Sequence, residues 1–148
     1  MAIDPDNPVV RLCVEGVQAE AEDRLEDALA LFSQAWEGST DDFEACIAAH
    51  YLARQQETPQ DMLYWNQVAL EKAKAAEDER VMGFYPSLYL NLGYSYEQLG
   101  NLEAAVRYYK KADEQLSDLP PGSYGEVVQD AVTRGRERIR AQQSSDGK

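Results

Sequence analysis

Apolar residues recur along nearly the whole chain at three- and four-residue spacing, the repeat of an amphipathic helix, and almost nothing alternates as a strand would. Val9, Leu12, Cys13, Gly16 and Val17 form the first such face. Asn7-Pro8 opens it, because asparagine can cap free N–H groups and proline at the first helical position forfeits no needed hydrogen bond. A second stripe follows Asp23, with Leu25, Ala28, Leu29, Phe32, Ala35 and Trp36, and ends at Gly38-Ser39. Thr40 or Asp41 then caps a third helix running to about Gln56. Thr58-Pro59 repeats the cap-then-proline device and starts a fourth helix carrying Leu63, Val68, Leu70 and Ala73. Signals are mixed over residues 76–83. Pro86 should begin or kink a fifth helix, which reaches Leu99 and stops at Gly100. Asn101 caps a sixth, running to about Leu116. Pro120-Pro121-Gly122 breaks the chain, and Ser123 starts a seventh with Tyr124, Val127, Val128, Ala131, Val132 and Ile139 on its apolar face. The polar stretch 142–148 is expected to be a disordered tail.

A short helix pair cannot bury its apolar face alone, so repetition along the chain is the next expectation. Residues 89–112 read YLNLGYSYEQLGNLEAAVRYYKKA. Tyr89, Leu92, Gly93, Tyr96, Gly100, Leu102, Ala105, Tyr109 and Ala112 match the signature types of a tetratricopeptide (TPR) repeat at its spacing, and the segment resembles that family. Gly93 and Ala105 are small where two antiparallel helices must approach closely, Gly100 ends the first helix, and Tyr96 and Tyr109 fill wider gaps. Leu12, Gly16, Leu25, Ala28, Phe32 and Ala35 fall at the corresponding offsets of an earlier repeat, with Ala19 and Asp23 departing from the aromatic and the glycine. Between them lies a third copy in which Ala49, Leu52 and Ala73 align, but which is about five residues too long. The resemblance implies an all-α fold, a TPR-like right-handed superhelix of antiparallel helix pairs with about seven helices. It is expected as one domain over residues 1–141, with repeats at about 8–38, 41–77 and 79–118 and a solvating capping helix at 123–141.

In such arrays the first helix of each pair lines a concave surface that holds a peptide. The resemblance places Ser87, Leu90, Asn91, Tyr94, Glu97 and Gln98 there in the third repeat. It places Phe43, Cys46, Ile47, His50, Ala53 and Arg54 there in the second, and Val10, Cys13, Val14, Val17, Glu20 and Ala21 in the first. His50 and Arg54 are four apart and share a helix face, where Arg54 offers a planar fork of donors. Asn91 resembles the backbone-clamping asparagine of peptide-binding members, whereas the lysines that grip a carboxylate have no counterpart. His50 and Arg54 are either a ligand pair or a half-buried pair that stabilises the stack. Asn66 falls on the buried side of the fourth helix, where an amide needs hydrogen-bond partners. Trp65 beside it is expected to pack on a neighbouring helix.

Composition and charge narrow the function. The chain has 148 residues, 44% hydrophobic and 28% charged, in keeping with one folded domain. Its net charge is −13, with 18 acidic and 6 basic side chains in residues 1–83 and 4 against 5 in residues 124–148. So negative a field repels nucleic acid and favours a basic or neutral partner. No signal peptide is evident at the start and no apolar run nears the ~18–20 residues that cross a bilayer, so no membrane role and a cytoplasmic location are expected. Cys13 and Cys46 are expected as reduced thiols. The single histidine and the lack of phosphate-loop, dinucleotide, nucleophile-elbow or zinc spacing argue against an enzyme, a metal or a cofactor. Arg134, Arg136, Arg138 and Arg140 alternate around the last helix as a solvated cap. The expected function is a protein- or peptide-binding scaffold or adaptor using His50, Arg54, Asn66, Ser87, Asn91, Tyr94 and Gln98. The alternatives are a self-associating homodimeric scaffold and, less favoured, a small-molecule or enzymatic role in the His50/Asn66 region.

Overall fold

The computed structural model describes residues 4–117, 119 and 122–146, and every regular element in them is helical. The helices are α1 (Pro8–Ala21), α2 (Leu25–Glu37), α3 (Asp42–Arg54), α4 (Pro59–Ala76), α5 (Glu79–Met82), α6 (Tyr85–Gln98), α7 (Leu102–Leu116) and α8 (Ser123–Asp146). Eight are therefore present where about seven were expected. The extra one, α5, is a single turn within the stretch of mixed signals.

The caps follow the sequence closely. The Asn7 side chain accepts from the N–H groups of Val9 and Val10, Asp41 from Glu44, Thr58 from Asp61 and Asn101 from Ala104. Gly100 closes α6 with φ of +82°, a conformation that side chains disfavour. Asp23, between α1 and α2, also has a positive φ, +61°. Aspartate is among the few residues that tolerate this region.

The chain forms two compact units, Met1–Met82 and Gly83–Lys148. In the first, α1 pairs with α2 and α3 with α4, while α3 also packs on α1 and α2, and α5 rests on α3 and α4. Phe32 is the centre of its core, together with Ala19, Ala28 and Leu52. The Phe32 ring presses on Gly16 so closely that an added Cβ would lie 2.3 Å from it, and its other neighbour is the stacked ring of Tyr51 at 5.3 Å. Trp65 meets Trp36 edge to face at 5.1 Å. Residues 43–49 of α3 are all buried, so this helix lacks a clear polar face. The second helix of the α3–α4 pair is the long one, with 18 residues against 13 in α2 and 15 in α7.

In the second unit α6 pairs with α7, and α8 packs against both. Val128, Val132 and Ile139 of α8 bury against Ala105, Tyr109 and Ala112 of α7. The helix continues to Asp146 rather than ending at 141, because no breaker follows Ile139 and Ala141-Gln142-Gln143 are good helix formers. Of the expected tail, residues 147–148 lie outside the described residues, as do Pro120 and Pro121 of the expected break.

Tyr109 occupies a slot between two glycines. A Cβ on Gly93 would come within 2.8 Å of its ring, and one on Gly135 within 2.5 Å. Gly125, in the same helix as Gly135, has nothing within 4 Å of its Cβ position. The two helix glycines should respond oppositely to alanine. Gly125→Ala should raise stability by about 0.5–1 kcal/mol through helix propensity. Gly135→Ala should lower it by about 1–3 kcal/mol through overpacking against the ring. Urea unfolding of both variants checks this; equal shifts of the same sign would contradict the slot.

Candidate functional site

Four of the expected site residues lie on one face of α6, at the helical spacing of Ser87, Asn91, Tyr94 and Gln98. The structure sets α8 along this face. Ser87 Oγ and the hydroxyl of Tyr124 are 2.6 Å apart, and the Arg138 guanidinium lies 5.9 Å from the centre of the Tyr94 ring. Leu90, Asn91 and Tyr94 line a cleft of about 240 Å³ with Tyr109, Ala131, Arg134 and Arg138. Gln98 is exposed at the end of α6.

Beneath this cleft is an ion pair that the sequence reading did not anticipate. Glu97 is 7% exposed. It accepts from the Tyr109 hydroxyl at 2.7 Å, from Nε of Arg138 at 2.7 Å and from Nη2 at 3.0 Å. Burial alone would raise the Glu97 pKa, but the hydrogen bonds from Arg138 and Tyr109 and the Arg138 charge outweigh it and hold the carboxyl below its usual range. Arg138 is thus part of the packing and not only a solvated end charge, which corrects the reading of the four arginines. Arg134 pairs instead with Asp130 at 2.6 Å and Arg136 with Asp113 at 3.5 Å. The alternating spacing showed that these arginines fan out around α8. Which of them meets Glu97 depends on how α8 is set against α6, and no local pattern carries that.

In the first unit His50 and Arg54 share a face of α3, and Asn66, 4% exposed, sits on α4. Arg54 reaches across to α1, with Nη2 at 2.8 Å from Glu20 Oε1, and Gln55 Nε2 donates to the other oxygen of Glu20. The guanidinium also lies 5.3 Å from the centre of the Tyr51 ring. His50 stands edge-on to Tyr51 at 5.0 Å.

The two units repeat one arrangement. Glu20 lies four residues after Gly16, and Glu97 four residues after Gly93. In each unit the aromatic sixteen residues beyond that glycine covers it, Phe32 in one and Tyr109 in the other. The next helix supplies the far side of the aromatic, Tyr51 or Gly135, and three residues later the arginine that pairs with the glutamate. Arg54 and Arg138 are therefore equivalent fasteners between a helix pair and the helix stacked on it.

Burial, and then the charge of Arg54, push the His50 imidazole down from 6.5 to about 4. Both cysteines are buried thiols whose pKa burial raises to about 12, which removes them as nucleophiles near neutral pH. Among the described residues, no group of three or more His, Cys, Asp or Glu side chains could hold a metal ion, and no helix is long and apolar enough to cross a membrane.

Because His50 is the single histidine, its ring proton signals can be followed by NMR without assignment. Its neutral form is favoured by folding, so this contribution to stability is complete above 6.5 and is lost as pH falls from there to about 4. The midpoint should lie near 4, and a midpoint near 6.5 would show that the ring is solvated.

Residues 86–115 match the family model of the tetratricopeptide repeat. No significant match is found among curated proteins or solved structures. The match falls on the α6–α7 pair, whose Gly93–Tyr109 contact corresponds to the Gly16–Phe32 contact of the first unit. The match at residues 86–115 and the all-helical fold of paired helices fit a TPR-like protein.

Proposed function

We propose that this protein is a peptide- or protein-binding scaffold or adaptor of the cytoplasm, acting by binding rather than by catalysis. Tetratricopeptide repeats in general mediate interactions between proteins, and the matched repeat is the coarse ground for this reading. The observation that carries the finer one is the α6 face. Asn91 and Tyr94 line a cleft there, Ser87 and Gln98 flank it, and Tyr94 is 41% exposed although it is a large aromatic. Asparagine can pair with both the C=O and the N–H of a peptide backbone, and an exposed aromatic face offers apolar area at low entropic cost. In the first unit we assign the same role to His50, Arg54 and Asn66. There the Arg54 guanidinium already has Glu20 as a partner, so a ligand would share it rather than find it bare.

Two variants test the two faces separately. Asn91→Ala with Gln98→Ala removes polar groups from α6, and Arg54→Gln removes the charge from α3. Each should reduce capture of partners in a pull-down about tenfold or more while leaving the helical circular dichroism signal intact. Capture equal to the parent in both variants would remove these faces from the binding surface.

A further inference from the structure

We propose that the α6–α8 cleft takes an acidic amphipathic peptide, one that combines carboxylate side chains with a large apolar residue, although the chain as a whole is strongly acidic. This rests on the reading of the protein as a peptide-binding module and names the chemistry of what it binds. Net charge pointed to a basic or neutral partner, but the charge is unevenly held. Residues 1–83 contain 18 acidic and 6 basic side chains, whereas residues 84–148 contain 9 and 8.

The cleft itself departs further from the average. Its two charged lining residues are Arg134 and Arg138, and no carboxylate lines it. Asp130, which pairs with Arg134, lines a different cavity, between α7 and α8. That pair is exposed on both sides, 69% for Arg134 and 59% for Asp130, so a ligand carboxylate can exchange for Asp130 at small cost. Arg138 is held in place from below. Glu97 takes up its Nε–H and one Nη2–H, which fixes the plane of the guanidinium, and the side chain remains 45% exposed. A second carboxylate approaching from the cleft meets an arginine that is already ordered, so little further side-chain entropy is lost on binding. Two arginines one helical turn apart suit acidic residues similarly spaced in a partner.

The rest of the wall supplies the apolar component. Leu90, the Tyr94 ring and Ala131 lie beside the arginines. Val127, one turn before Ala131 on the same face of α8, is 67% exposed and was expected on that helix's buried apolar face. A basic peptide would bring its cations within a Debye length of both arginines and would be repelled.

The test is selection of a random-peptide library on the intact protein, followed by fluorescence anisotropy of the enriched peptides at low and high salt. Arg134→Glu and Tyr94→Ala are the comparison variants. Arg134 is exposed, so its replacement should leave the circular dichroism spectrum unchanged. The enriched peptides should be net negative with at least one aromatic or leucine. Their affinity should fall about tenfold or more with Arg134→Glu, and also fall with Tyr94→Ala and with added salt. Enriched peptides that are basic, or acidic ones indifferent to Arg134→Glu, overturn the proposal and leave the peptide-binding reading standing. A library with no enrichment over a bare surface overturns that reading as well.

Discussion

The ring of Tyr109 is gripped between Gly93 of α6 and Gly135 of α8, and its hydroxyl donates to Glu97, which Arg138 of α8 also holds. Each part requires the others. Side chains at 93 or 135 would occupy the ring's space, and a phenol buried without an acceptor would cost about 1–3 kcal/mol. Burial of Glu97 raises its pKa, and Arg138, from the helix that must dock, supplies hydrogen bonds and a positive charge that lower it. In the first unit the same position holds Phe32, which has no hydroxyl to satisfy. Even so, the glutamate four residues after the glycine is kept, and Glu20 pairs with Arg54. The ion pair therefore does more than solve the problem of a buried phenol. It fixes the helix that follows each pair, by a charged contact whose geometry is more selective than that of apolar packing.

The helices and their caps were legible because they are local. Asn7, Asp41, Thr58 and Asn101 cap as their positions suggested, and the spacing of Gly93, Ala105 and Tyr109 revealed a close helix pair. The tertiary partners of charged groups were not legible. Glu97 was placed on the groove face because its offset fits, but it points into the contact with α8. Arg138 looked like one of four equivalent solvated charges. Arg54 was expected either as a ligand group or as half of a half-buried pair with His50 that stabilises the stack, and its contact with Glu20 on α1 was not foreseen. A recurring rule, a glutamate four after the glycine, was present in the sequence twice. Its meaning needed the arginine, which lies 34 residues after Glu20 and 41 after Glu97 and so has no fixed spacing.

The proposed function rests on what this fastening leaves exposed. Glu97 and Arg138 hold α6 and α8 together, and the cleft between these helices carries Asn91, Tyr94 and Arg134 beside Arg138. The equivalents of Asn91 and Tyr94 in the first unit are Val14 and Val17, and His50 stands where Arg134 does. Each unit thus presents a differently furnished face. Net charge, a property of the whole chain, describes neither face, and the local lining is the better guide to a partner.

The claim that the glutamate–arginine pair fastens α8 is tested most directly by a double-mutant cycle of Glu97→Gln and Arg138→Gln in urea unfolding. The account predicts a coupling energy of about 1–2 kcal/mol, allowing for the exposed side of Arg138. Additivity within about 0.3 kcal/mol would mean that the two side chains merely lie close together, and that apolar packing alone seats the helix.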